Sequence, residues 1–109
     1  MARDPGLEAL LREDLAAERG LSERPMFGGL AWLLNGNLLC GAREDWMLVR
    51  LGKGRDGWAL ALPDIVPMIS RGRPMPGWVR AGSEAFGDDA LRCRLIGAGL
   101  AFVRSLPAK

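Results

Sequence analysis

Leu30-Ala31-Trp32-Leu33-Leu34-Asn35-Gly36-Asn37-Leu38-Leu39-Cys40 is the stretch on which the fold of this chain turns. Two apolar runs flank Asn35-Gly36. An Asn-Gly pair tolerates positive φ at both central positions of a type I′ turn, whose twist matches that of paired strands. The stretch therefore reads as a β-hairpin, with strands over about 29–34 and 37–42. Both runs are nearly continuous in apolar residues rather than alternating. Either both faces of these strands are covered or the strands lie centrally in a sheet.

Working outward from the hairpin, Arg43-Glu44-Asp45 makes a charged turn and Trp46–Leu51 a third strand. A three-strand meander follows, because consecutive strands usually pair. The glycine-rich 52–57 segment is a loop, and Trp58–Leu62 is one or two helical turns ended by Pro63. Val66-Pro67-Met68-Ile69 reads as a fourth strand. Pro67 donates no hydrogen bond, so it places that strand at an edge or at an irregular start. Arg71-Gly72-Arg73 is a loop, and Pro74–Arg80 carries the fifth strand, centred on Trp78-Val79.

Helices bound the chain. Asp4 suits an N-cap and Pro5 the first helical position. Leu7, Leu10, Leu11 and Leu15 then form one stripe, so a helix is expected over about 5–18, with Gly20 as its stop. Residues 21–25 read as a polar loop and 82–87 as a linker. Asp88 or Asp89 caps a final helix over about 88–105. Leu91, Leu95, Ala98, Phe102 and Leu106 form one stripe on it, and Ile96, Leu100 and Val103 a second. The expected architecture is a single α+β domain over residues 1–109, with a small five-stranded antiparallel sheet in the order α-β-β-β-α-β-β-α.

Composition narrows the chemistry. The 109 residues include no histidine and no tyrosine, and the only lysines are Lys53 and Lys109. Without histidine there is no Ser-His or Cys-His dyad and no usual neutral-pH base. Two cysteines, Cys40 and Cys93, are too few to close a tetrahedral zinc site, and both sit among apolar residues as small hydrophobes. The reading is a non-enzyme with no catalytic residue, cofactor or metal. No apolar run reaches the ~18 residues of a membrane span, and the N-terminus lacks a signal-peptide core, so a cytoplasmic location is expected. Net charge is +2, but residues 1–29 carry a net −2 and residues 50–80 a net +4. The basic bias lies in the middle of the chain.

Four motifs invite chemistry. Gly52-Lys53-Gly54 lacks the spacing of a phosphate loop and reads as a flexible turn. Arg71-Gly72-Arg73 presents two guanidiniums that can grip phosphates or carboxylates, or simply marks a solvated hairpin turn. Trp32, Trp46, Trp58 and Trp78 fill a core, or some of them line a concave face that takes an apolar ligand. The last helix is apolar almost all round between Leu95 and Val103, so the sheet wraps it or a second subunit covers it.

Read together, Met26-Phe27-Gly28-Gly29, Asn35-Gly36 with Cys40-Gly41, Met47–Arg50, Gly72-Arg73-Pro74-Met75-Pro76-Gly77-Trp78-Val79 and Ala101–Pro107 resemble, in their order and spacing, the N-terminal domain of the TfoX/Sxy family. The resemblance runs from about residue 24 onward. It implies a secretion-chaperone-like antiparallel sheet and a role as a regulator of competence that works with a partner transcription regulator. It supplies no catalytic residues. The expected function is a regulatory protein-interaction domain. Its candidate contacts are Arg24, Met26, Phe27, Arg50, Arg71, Arg73, Leu100 and Val103, with a protein partner and a possible homodimer. The alternative is a nucleic-acid-binding accessory protein that uses the basic Arg50, Arg71 and Arg73.

Overall fold

The computed structural model describes residues 4–26 and 28–109. In chain order the elements are α1 (Pro5–Asp14), β1 (Leu21–Met26), β2 (Gly29–Leu34), β3 (Asn37–Arg43), β4 (Trp46–Arg50), α2 (Gly57–Leu60), β5 (Ile65–Ser70), β6 (Arg73–Gly82), α3 (Ser83–Phe86) and α4 (Asp89–Arg104). The class is α+β with one antiparallel sheet, as the pattern indicates. The sheet has six strands, in the order β1-β2-β3-β4-β6-β5, and not five.

The unexpected strand is β1, in the segment read as a polar loop. Its residues are mostly exposed and carry no alternating apolar signal. Pairing with β2 makes it a strand, with Leu21 opposite Leu34 and Met26 opposite Gly29. As an edge strand it accommodates Pro25. The Glu23 carboxylate ties it down, accepting from Trp32 Nε1 at 3.0 Å and from Arg12 Nε at 2.6 Å.

The Asn-Gly hairpin forms as read. Asn35 has φ 52° and Gly36 φ 83°. Arg71 and Gly72, at φ 53° and 76°, make a second positive-φ turn of the same kind between β5 and β6. The continuous apolar run of β3 has a local cause. Trp32 pairs with Cys40 but Leu33 pairs with Leu38, so Leu39 is the extra residue of a bulge. Leu39 and Cys40 therefore both reach the core. Pro67 does lie on an edge strand, and the β5–β6 register shifts beside it.

The register sorts the sheet into two faces. Trp32, Cys40, Ala42, Met47, Val49, Val79 and Ala81 share one, and pack with Leu7, Leu11 and Leu15 of α1 and Leu95, Ile96, Leu100 and Val103 of α4. Buried residues of α2 (Ala59) and α3 (Ala85, Phe86) join the same cluster, so the helices lie on this face. Ala31, Leu33, Leu38, Gly41, Trp46, Leu48, Trp78 and Arg80 lie on the opposite, helix-free face.

Helix limits follow from capping. Asp4 Oδ1 accepts from Leu7 N at 3.1 Å and Asp88 Oδ1 from Leu91 N at 3.1 Å, so both helices start where their acids predict. α1 stops at Asp14, short of the expected 18. The expected 82–87 linker contains helix α3. Its cap comes from far upstream: Asp64 Oδ2 accepts from Glu84 N at 2.9 Å and Ala85 N at 3.1 Å. Between the helices, buried Arg92 donates to Asp14 Oδ2 at 2.7 Å, Asp89 Oδ1 at 2.8 Å and the Phe86 carbonyl at 3.0 Å. It joins α1, α3 and α4 through one guanidinium. The tail returns to the hairpin, where Asn37 Nδ2 donates to the Pro107 carbonyl at 2.9 Å and Lys109 N to that of Asn35 at 2.8 Å.

Candidate functional site

A flat six-stranded sheet would separate its edge strands by about 24 Å. Here Met26 of β1 and Met68 of β5 line one cavity, so the sheet is strongly curled about its helix-free face. The cavity measures about 110 Å³ and is walled by Leu38, Trp46, Leu48, Met75 and Trp78, with Arg43 and Ser70 as its charged and hydroxyl members. The curl explains how Leu33 and Leu48 are buried with no helix above them.

Next to the wall residue Trp78, the backbone makes a close crossing at Gly77. This residue has φ 86°, and its carbonyl accepts from Leu51 N at 2.7 Å and Gly52 N at 3.1 Å. A Cβ there would sit 2.4 Å from backbone atoms of Gly52 and Lys53. Asp56 Oδ2 accepts from Gly77 N at 3.2 Å and secures the same crossing.

Arginines ring this face. Arg43 stands opposite Trp46 across the β3–β4 ladder, and its guanidinium carbon lies 5.4 Å from that ring's centre. Arg80 lies over the same ring at 4.3 Å. Arg50 stands opposite Trp78 and lies 5.0 Å from its ring, and it also lies 5.5 Å from Phe102 of α4. The observed ion pairs belong elsewhere: Arg12 with Glu23, Arg92 with Asp14 and Asp89, and Arg104 with Glu18. Among the described residues, Arg43, Arg50 and Arg80 have aromatic partners and no carboxylate. The Nε of Arg43 is buried with no hydrogen-bond acceptor among the described residues.

The expected contact residues scatter. Arg24 is exposed on β1 opposite Ala31, on the helix-free face, and Met26 lines the cavity. Arg50 meets Trp78. Arg71 and Arg73 are exposed at the β5–β6 turn. Phe27 lies outside the described residues. Leu100 and Val103 are 8% and 2% exposed and belong to the core, so they offer no surface for a contact. The sheet and the neighbouring helices of the same chain cover the large apolar residues of α4, whose exposed side carries Cys93, Arg94, Gly97, Ala101 and Arg104. Close approach occurs at Gly99, where a Cβ would lie 3.1 Å from the Arg50 carbonyl oxygen, whereas Gly97 faces open space.

Trp46 and Trp78 stand among the tryptophans expected to pack or to line a concave face, whereas Arg43, Met68, Met75 and Arg80 are site residues that the sequence reading did not single out. The Arg43–Trp46 pair was legible in principle, since the two residues flank the tight turn at Glu44-Asp45 and so face each other. Arg80 had no such signal, because the β4–β6 pairing spans the whole of α2 and β5.

Titratable groups offer little chemistry. Burial, followed by the charge of Asp14, pushes the Cys40 thiol far above its ordinary range. The hydrogen bond to Asp14 leads the causes that raise the Arg92 pKa above its ordinary value, against the opposing effect of desolvation. Cys40 and Cys93 are free thiols, the first buried and the second exposed. Among the described residues no cluster of three His, Cys, Asp or Glu side chains is placed to hold a metal, and no helix is long and apolar enough to cross a membrane.

No protein-family model matches this chain, and no curated protein and no solved structure shows significant similarity to it.

Proposed function

We propose that this chain is a non-enzymatic regulatory interaction domain of the kind its resemblance to the TfoX/Sxy N-terminal domain implies, acting in the cytoplasm on a protein partner through its helix-free face. The observation that carries this reading is exposed Arg80, laid with Arg43 against the ring of the buried Trp46 on a face that no helix covers. Tryptophan and arginine dominate the energetics of protein interfaces, because each combines a large contact area with directional polar groups. Guanidiniums already stacked on rings lose little side-chain freedom when a partner docks. The secretion-chaperone-like fold that the resemblance implies belongs to the same proposal.

The test is affinity purification from the source cell with three baits: the native chain, Arg80→Ala and Arg94→Ala. Arg94 stacks on Trp58 at 4.1 Å, away from the helix-free face, and serves as a matched control. The reading requires one protein to be retained by the native and Arg94→Ala baits and lost from Arg80→Ala. Equal retention by all three removes the helix-free face as the contact.

One observation favours a second reading. Arg50 over Trp78 is the guanidinium–aromatic arrangement on which single-stranded nucleic acid stacks, and Arg71 and Arg73 add exposed charge at the β5–β6 turn. Binding of this kind weakens steeply with salt. A single-stranded oligonucleotide titrated at low and then physiological salt decides it, and no binding at low salt ends it.

A further inference from the structure

We propose that the cavity under the helix-free face is a binding site for a small apolar carboxylate, of the size and chemistry of benzoate, with its ring among the methionines and tryptophans and its anion received by Arg43 and Arg80. Three independent features agree. The first is size. The cavity holds about 110 Å³, and an apolar protein cavity of roughly 150 Å³ stays dry and accepts benzene. The space is smaller than that, so it takes at most one ring or a short branched chain, with the adaptable methionines giving way, and excludes a nucleotide or a long acyl chain. The second is the wall. Met26, Met68 and Met75 come from three strands, and Trp46 and Trp78 from two. Thioether side chains adapt to an aromatic guest and make favourable sulfur–ring contacts.

The third is charge. Arg43 and Arg80 share one indole ring, and no carboxylate accompanies either among the described residues. The electron-rich ring attracts each cation but supplies neither with a counter-ion. The buried, unpartnered Nε of Arg43 adds a donor without an acceptor, a costly arrangement in an apolar setting. A carboxylate at the mouth meets both needs: it accepts from the guanidinium of Arg43, which lines the cavity, and brings negative charge to Arg80 over the wall residue Trp46. Inorganic anions meet the charge but leave the cavity empty. Uncharged aromatics fill the cavity but leave the arginines unopposed. Only a molecule with both parts satisfies the whole site. The site shares Arg43, Trp46 and Arg80 with the partner reading above, but titration with a small molecule involves no second protein, so either can fail alone.

The experiment titrates the intact chain with benzoate, benzamide and acetate, following the indole N–H resonances by NMR. Benzoate is expected to shift the Trp46 and Trp78 signals saturably and to bind at least tenfold more tightly than either benzamide or acetate. Arg43→Gln and Arg80→Gln should each weaken benzoate about tenfold while leaving benzamide unchanged, and Met75→Trp, which fills the cavity, should abolish binding. If benzamide binds as well as benzoate, the arginines have no role and the proposal fails. If acetate binds as well, only a surface anion contact exists and it fails equally. Absence of any saturable shift with millimolar benzoate also overturns it. The three-ligand comparison needs no variant, so a substitution that disturbs folding leaves the test intact.

Discussion

Met26 and Met68 stand on the two opposite edge strands of a six-stranded sheet and line the same cavity. The sheet must curl far enough for both edges to reach one cavity, and these half-buried methionines line it from opposite edges. Shortening either side chain removes apolar contact from the cavity. Met26→Ala and Met68→Ala should each cost about 1–2 kcal/mol, below the ~2–5 kcal/mol of a fully buried methionine. On the same strand as Met68, Val66 and Ile69 are 51% and 52% exposed. Val66→Ala and Ile69→Ala should stay within about 0.5 kcal/mol, as ordinary surface changes do. Chemical denaturation of the four variants checks the contrast.

Gly77 sits where two backbone segments cross closely. An alanine there would meet backbone at 2.4 Å and would also adopt φ 86°. Gly77→Ala should destabilise by more than about 3 kcal/mol or prevent folding, since backbone cannot rotate aside as a side chain can. Gly54, at φ 81° with nothing within 4 Å, isolates the strain alone. Gly54→Ala should cost only the left-handed penalty of about 1–2 kcal/mol. Thermal unfolding of both variants separates crowding from strain, and equal costs would contradict the account.

Arg92 should be worth more through its absence than through its presence. Its side chain is 5% exposed and the Asp14 partner 14%. Removing one partner of such a pair leaves a buried charge unopposed, at about 3–5 kcal/mol. Asp14→Ala leaves Arg92 with exposed Asp89 and the Phe86 carbonyl as its remaining acceptors, so the expected cost is at the low end of that range, roughly 3 kcal/mol. Arg92→Met, which removes the charge and retains the stem, should cost clearly less than the sum of the single losses when combined with Asp14→Ala. A double-mutant cycle measures that coupling.

The two thiols should differ sharply. Exposed Cys93 is expected to react with a thiol reagent in the native protein, and buried Cys40 only after unfolding. Burial raises the Cys40 pKa in the folded state, so its contribution to stability is fully present below the unfolded value of about 8.5 and is lost as pH rises beyond it. The unfolded chain releases a proton there that the folded chain retains. Stability should fall by up to about 1.4 kcal/mol per pH unit above that point from this group alone. Cys40→Ala should flatten the slope between pH 8 and pH 10, and an unchanged slope would assign it to other groups.

The readable parts of this fold were those whose cause is local. Asn35-Gly36 formed its turn because both residues tolerate positive φ, and Asp4 and Asp88 capped their helices from three residues away. Pro67 fell on an edge because it lacks an N–H. The misread parts had distant causes. β1 is polar and becomes a strand by pairing with β2 and through Glu23 bonding to Trp32. α3 looked like a linker because its cap, Asp64, lies 20 residues upstream. Leu100 and Val103 passed for contact residues because an apolar helix does not announce which side the sheet will take.

The candidate site divides along the same line. Composition alone set the chemical limits: a chain without histidine, and with two separated cysteines, has few ways to build a reactive centre. The sequence also showed four tryptophans in apolar surroundings and a basic middle segment. It left open which tryptophan would pack and which would line a face, because that depends on how far the sheet curls. Curling brought Met26 and Met68 to one cavity, and the β4–β6 ladder set Arg80 against the same ring as Arg43. Turns and caps are written into neighbouring residues, since their hydrogen bonds span three or four positions. A curved face is built from residues that meet only after every strand has found its partner.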